Sequence, residues 1–262
     1  MPPSELSALR LHRPPFAAQT PVSGWPPLAT VKPWHTEYTL VFVVDRPHSR
    51  FLLGHKKRGM GCGLYNGYGG KPEARETMLD CAIRELQACR VSNNHFRSNI
   101  ILRQEESGLV TNKNDIRLKG LLLTSRPNSS DNAVKCLLRI HIYECTSWSG
   151  DPIETEEMAP EWFTQDNLPL ERMWPEARKY VPVVLDSILH GASNDLFLAR
   201  VDYAYLTAES APTALPPLHG QSVLFEEDAE IASQPMERLS GWYMTFTGAD
   251  DLLKFNATVG YT

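Results

Sequence analysis

No hydrophobic run in this chain approaches the ~20 residues that span a bilayer. Its N-terminus also lacks the contiguous apolar core of a secretory signal. Those absences exclude a helical membrane protein and set the expectation of a cytoplasmic chain without a membrane partner, with the nucleus or mitochondria as alternatives. Cysteine is scarce: five in 262 residues (Cys62, Cys81, Cys89, Cys136 and Cys145), an odd number without a Cys-x-x-Cys pair, so neither a disulfide framework nor a zinc site is indicated. Positive charge does not predominate either. With 26 Lys and Arg against 31 Asp and Glu, the formal charge of −5 argues against stable nucleic-acid binding and favours a small-molecule partner. A monomer is the default expectation.

Proline is plentiful, and eight of the twenty lie in the first 35 residues, where there is little hydrophobic alternation. That suits a flexible, Pro-rich leader over 1–35, followed by one domain over 36–262. Arg10, His12 and Arg13 give the leader slight positive character, but Glu5 and the prolines at 2, 3, 14 and 15 count against an amphipathic targeting helix. From Tyr38 the pattern changes. Apolar, β-branched runs predict strands over 39–44, 51–53, 118–124, 135–145 and 162–163, while 76–87 and 177–189 read as helices. Strands interleaved with two helices indicate an α+β sandwich.

The most informative stretch is Gly70-Lys-Pro-Glu-Ala-Arg-Glu76, then Arg84-Glu85-Leu86, then far downstream Glu105-Glu106-Ser-Gly108-Leu109. Leaving out seventeen residues, 88–104 or equivalently 87–103, joins these into Gly-x5-Glu-x7-Arg-Glu-Leu-Gln-Glu-Glu-Ser-Gly-Leu. In that register Glu105 and Glu106 fall three and four positions after Glu85, on one helix face. Three crowded carboxylates repel one another unless a hard cation compensates them, which makes the set a site for Mg²⁺, with Mn²⁺ as the alternative. Gly67, Gly69 and Gly70 let the backbone turn and approach a phosphate closely.

This split motif resembles that of the Nudix hydrolases, and the resemblance implies the Nudix fold, an α/β/α sandwich with a mixed sheet. The flanks narrow the likeness. The segment Leu52-Leu-Gly-His-Lys-Lys-Arg-Gly-Met-Gly-Cys-Gly-Leu-Tyr-Asn-Gly-Tyr-Gly-Gly70 resembles the oxidised purine nucleoside triphosphatases. So do Glu156-Glu-Met-Ala-Pro-Glu-Trp-Phe163, Met173-Trp-Pro175 and Ser240-Gly-Trp-Tyr-Met-Thr-Phe246. The resemblance implies Mg²⁺-dependent hydrolysis of 8-oxo-dGTP or 2-hydroxy-dATP to monophosphate and pyrophosphate. Glu85, Glu105, Glu106 and Gly69 would hold the metal. Glu106 and Glu157 would act in catalysis, and Arg84 would orient the carboxylates. Asn66 would hydrogen-bond the purine, Lys56 and Gly70 would lie near the substrate, and Thr39 would line the pocket floor. Met158, Trp174 and Glu176 would meet the base. Where family members carry two aspartates after Trp-Pro, this chain has Glu176 and Ala177. An alanine side chain can neither donate nor accept a hydrogen bond there. A catalytically inactive nucleotide binder, and a pyrophosphatase for another nucleoside diphosphate-linked substrate, are the alternatives.

The interrupting segment 88–104 holds three arginines and no acid, so it cannot replace the carboxylates. Continued as helix it would carry Glu105 and Glu106 about 25 Å from Glu85. Folded back through Ser92-Asn93-Asn94, with Ser98 or Asn99 capping a second helix, it would return them. Alternatively, its arginines would occupy the acidic patch. Seventeen whole codons would also keep the reading frame if a short intron stayed unspliced, which transcript sequencing tests. A second insertion, read as a surface loop, spans about 191–235.

Overall fold

The computed structural model describes residues 1–6, 9, 15–22, 24–26, 35–87, 107–127, 134–190, 194–205 and 237–258. A mixed sheet runs through the molecule, built from β1 (Ala17–Gln19), β2 (His35–Asp45), β3 (Arg50–Lys56), β4 (Tyr65–Asn66), β5 (Ile116–Pro127), β6 (Val134–Cys145), β7 (Met158–Thr164), β8 (Leu196–Tyr205) and β9 (Glu237–Thr247). The order is β1-β9-β8-β5-β6-β2-β3-β4, with β7 pairing β3 along its other edge. The β2–β6 and β5–β8 pairs are parallel and the remaining pairs are antiparallel.

Among the described residues three α-helices cover it: α1 (Met78–Leu86), α2 (Ala177–His190) and α3 (Ala249–Thr258). Strand alternation assigns them to faces. On β2, Leu40, Phe42 and Val44 pack with Val181, Val184 and Leu185 of α2, while Val41 and Val43 pack with Ala82 and Leu86 of α1. On β5, Leu121 and Leu123 face Leu252 and Phe255 of α3. The result is the expected α/β/α sandwich, with α2 on one side and α1 and α3 on the other. α1 starts where Thr77 accepts a hydrogen bond from the Asp80 amide at 3.1 Å, satisfying one of the donors a helix start leaves open. It ends at Gln87, whose backbone is extended.

Two sequence expectations change. The stretch read as a flexible leader contains β1, which pairs with β9, and Leu6, which is 1% exposed in the α3 cluster. Phe16 adds ring contacts with Phe197 and Phe246, with centroids 6.2 and 5.6 Å away. Apolar side chains scattered among prolines still bury surface once an edge strand is there to receive them. The second correction concerns the insertion read as a surface loop over 191–235. Its first part is β8, almost wholly buried between β5 and β9. A strand covered on both faces has no alternating polar side, and its Arg200 and Asp202 read as loop residues. In fact they neutralise one another, with guanidinium-to-carboxylate distances of 2.9 and 3.1 Å and exposures of 1% and 2%. The rest of that insertion, 191–193 and 206–235, lies outside the described residues.

Candidate active site

The loop between β4 and α1 lies against β2. The Thr39 amide donates to the Gly70 carbonyl at 2.9 Å, and the Gly70 amide donates back to the Thr39 hydroxyl at 3.3 Å. A Cβ on Gly69 would stand 2.0 Å from the Thr39 carbonyl oxygen, so only glycine allows this approach. A Cβ on Gly70 would meet both carboxylate oxygens of Glu85, at 2.4 and 2.7 Å. The glycines therefore bring the loop backbone directly onto the carboxylate that α1 presents.

Arg84 organises that carboxylate. Its guanidinium grips Glu76 through Nε and Nη2, both at 2.8 Å, reaches Glu85 through Nη1 at 2.7 Å, and donates to the Lys71 carbonyl at 3.1 Å. The forked geometry of arginine suits such multiple contacts. Arg84 holds the Glu76 carboxyl below its usual range. Glu85 moves the other way: burial raises it, the Arg84 contact opposes, and the charges of Glu76 and Glu157 push it further up. Like charges gathered around a half-buried carboxylate are what a cation would relieve.

Glu157 lies close enough for its charge to act on Glu85, and it is engaged by Arg58 at 2.7 and 3.2 Å. Glu105 and Glu106 lie outside the described residues, as do the caps and arginines expected between 88 and 104. What the structure does describe is the return of the chain. The Ser107 hydroxyl donates to the Leu86 carbonyl, Gln87 bridges in parallel to Leu109, and the Gln87 side-chain amide donates to the Thr111 carbonyl at 2.8 Å. Leu86 and Leu109 are both fully buried in the α1 cluster. With 88–104 left out, Ser107 stands four positions after Leu86, the spacing at which a helical serine bonds the carbonyl one turn back. The chain thus comes back beside the end of α1, with Ser107 at Leu86 and Leu109 at Gln87.

The remaining sequence-derived residues divide between the faces. Thr39 is buried toward Gly70 and the Cys81 thiol, 3.6 Å away on α1, so it sits with the carboxylates and not in a pocket with Trp174. Met158 is 2% exposed in the α1-side core, its sulfur where a Cβ on Gly54 would fall, which makes it a packing residue in this structure. Lys56, half-buried at the end of β3, shares the strand face of Leu52 and Gly54 on the carboxylate side. Asn66 pairs with Gly54 at the start of the glycine loop.

Trp174 and Glu176 belong to the other face. The Trp174 ring covers Gly61, where a Cβ would lie 2.9 Å from it. Glu176 is 6% exposed and accepts a hydrogen bond from the Tyr203 hydroxyl. Burial raises its pKa, against the pull of that hydrogen bond and of the Arg126 charge. Sequence reading missed two residues here. Arg126 places its guanidinium 4.1 Å from the Tyr203 ring centre and 5.7 Å from that of Trp174. Tyr203 lay in the stretch read as a loop, and Arg126 stands where a strand runs into a polar segment, so neither carried a local signal.

The residues present suit a divalent cation by their donor chemistry. Glu85 and Glu157 are hard oxygen donors, the charge of Glu157 making that of Glu85 costlier, beside a backbone that glycine has cleared. Among the described residues there is no group of three or more His, Cys, Asp or Glu that could hold a metal.

Over 148 residues the chain is 35% identical to the oxidized purine nucleoside triphosphate hydrolase of Mus musculus, spanning 78% of that protein and 56% of this chain. The chain belongs to the Nudix hydrolases. The protein of the same name from Danio rerio is 33% identical over 151 residues, with the same coverage. Among solved structures, the mutator MutT protein from Bacillus halodurans is 22% identical, with a TM-score of 0.46, covering 67% of this chain and 93% of that one. A MutT NUDIX hydrolase from Burkholderia pseudomallei is 20% identical, with a TM-score of 0.40, covering 59% and 98%. No family model matches the chain. As a Nudix hydrolase the protein is an enzyme of nucleotide hydrolysis, a family whose members in general use divalent metals. No helix among the described residues is long and apolar enough to cross a membrane.

Proposed function

We propose that this protein hydrolyses oxidised purine nucleoside triphosphates, of the 8-oxo-dGTP and 2-hydroxy-dATP type, to the monophosphate and pyrophosphate, and so clears damaged nucleotides from the precursor pool. The observation that carries this reading is the meeting of the motif's two halves at Leu86 and Ser107, beside a Glu85 that Arg84 and Gly70 hold in place. The names of the two relatives support the substrate class.

Glu85, Glu105, Glu106 and the Gly69 backbone would hold Mg²⁺. When bound, the ion neutralises phosphate charge and lowers the pKa of a coordinated water. Arg84 keeps the Glu85 carboxylate aimed at the glycine loop and, through Glu76, ties the loop to the helix. Lys56 brings an ammonium to the same face to receive phosphate oxygens. Glu157, or Glu106, takes the proton of the attacking water at its carboxylate. Both Arg58 contacts go to one oxygen of Glu157, which orients that carboxylate. Trp174 offers a ring face to the purine, and Asn66 both a donor and an acceptor.

The test is pyrophosphate release from 8-oxo-dGTP with and without Mg²⁺, using the full chain, a form lacking 88–104, and Glu85→Gln. The reading expects Mg²⁺-dependent turnover by the full chain and its loss in Glu85→Gln. Turnover only by the shortened form would make the full chain an inactive nucleotide binder. Turnover by neither would remove this substrate class.

A further inference from the structure

The face that carries Trp174 has a feature for which the split motif gives no reason, a cation between aromatic rings. On β5, Leu122 and Thr124 are buried toward α2. Arg126, next on that face, emerges half-buried at the strand end between Tyr203 and Trp174. Tyr203 and Glu176 bear on its head group. The Tyr203 ring stacks on it at 4.1 Å, Tyr203 is itself held by its hydroxyl bond to Glu176, and the Glu176 carboxylate lies near enough for the Arg126 charge to act on it. A guanidinium so held keeps its planar fork of donors pre-organised and loses little freedom on meeting a ligand.

Donors at this place favour one class of purine. In guanine and 8-oxoguanine the C6 substituent is a keto oxygen, an acceptor that matches an N–H of the fork. In adenine and 2-hydroxyadenine it is an amino group, whose hydrogens would face the guanidinium hydrogens. A fixed set of donors rejects such a base because both partners lose their hydrogen bonds on leaving water. Glu176 balances the charge, and Ala177, 1% exposed and packed into the core, contributes no polar group.

We propose that Arg126 is the specificity-determining residue of the base site, selecting 6-keto purine nucleotides over 6-amino ones. This rests on the reading of the Trp174 face as the base site of a nucleotide hydrolase. It narrows that reading, because 2-hydroxy-dATP becomes a poor substrate.

The experiment compares the full chain with Arg126→Met and Arg126→Lys. It measures kcat/KM by pyrophosphate release from dGTP, 8-oxo-dGTP, dATP and 2-hydroxy-dATP with Mg²⁺, and binding of dGMP and dAMP by tryptophan fluorescence. The unaltered chain is expected to favour each keto nucleotide on the order of ten- to a hundredfold, the discrimination of one good arginine–base contact. Arg126→Met should remove the preference by lowering the keto values, and Arg126→Lys, which keeps charge without the fork, should restore only part of it. Equal use of keto and amino purines by the unaltered chain overturns the proposal, as does a preference that survives in Arg126→Met. If no triphosphate is turned over, the hydrolase reading has failed separately and the monophosphates decide. Tighter binding of dGMP that Arg126→Met abolishes supports the proposal, and equal or absent binding of both overturns it.

Discussion

Gly70→Ala isolates the contact between the loop and α1. The added Cβ would stand 2.4 Å from Oε1, 2.5 Å from Cδ and 2.7 Å from Oε2 of Glu85. Ordinary contact begins near 3.5 Å, so the carboxylate must retreat by about 1 Å. The retreat draws Glu85 off Arg84 Nη1, now at 2.7 Å. Stability should barely change. The Gly70 φ is not positive, so alanine fits the backbone, and the displaced group is the far end of a flexible side chain. Activity should change a great deal, because a misplacement of about 1 Å at a reacting centre costs on the order of a hundredfold. Thermal melting and kcat/KM for pyrophosphate release, measured on the same preparation, test both halves. An alanine variant with unchanged kcat/KM would refute the role given to Glu85, and one that loses activity only because it unfolds would refute the separation of stability from catalysis.

Three further predictions follow from other contacts. Arg200→Met leaves Asp202 buried without its cation and should cost about 3–5 kcal/mol, lowering the midpoint of thermal unfolding by roughly 6–20 °C for a domain of this size; Arg200→Met with Asp202→Leu should recover much of the loss. Ser107→Ala removes the buried donor to the Leu86 carbonyl and the acceptor of the Leu109 amide at 3.2 Å, and should cost about 1–3 kcal/mol by chemical denaturation. Glu176 has a folded pKa above its ordinary value, so between the two values the folded state binds more protons than the unfolded one and stability falls as pH rises through that window. Glu176→Gln removes the effect: denaturation curves should show the variant gaining on the unaltered chain as pH rises from acid toward neutral, and parallel pH profiles would contradict the assignment.

Much of the carboxylate site was legible before any coordinates. The spacing of Gly70, Glu76, Arg84 and Glu85 is local, and on a helix start with a threonine cap local spacing decides which groups share a face. The structure realises it in the Arg84 fork between Glu76 and Glu85. α1 and α2 and the strands β2, β3, β5, β6 and β7 fall where periodicity put them, within the usual uncertainty of their ends. β8 was not legible, because its two charges cancel only inside the sheet. α3 and β1 were missed for a related reason, since each is short and is stabilised by what it covers.

The amino-acid sequence by itself determined the family and pointed to Arg84 as the residue that grips the glutamates of the motif, since these follow from residue types at fixed separations along the chain. Tertiary structure alone decided three things. It decided that Ser107 returns to Leu86 across nineteen intervening residues not described, that Thr39 and Met158 belong to the carboxylate side of the sheet, and that Arg126, Tyr203, Trp174 and Glu176 form one cluster. The physical reason is the same in each case. These are contacts between segments far apart in the chain, chosen by which faces of a sheet are left to bury and which charges must be neutralised there, and no local pattern encodes that choice.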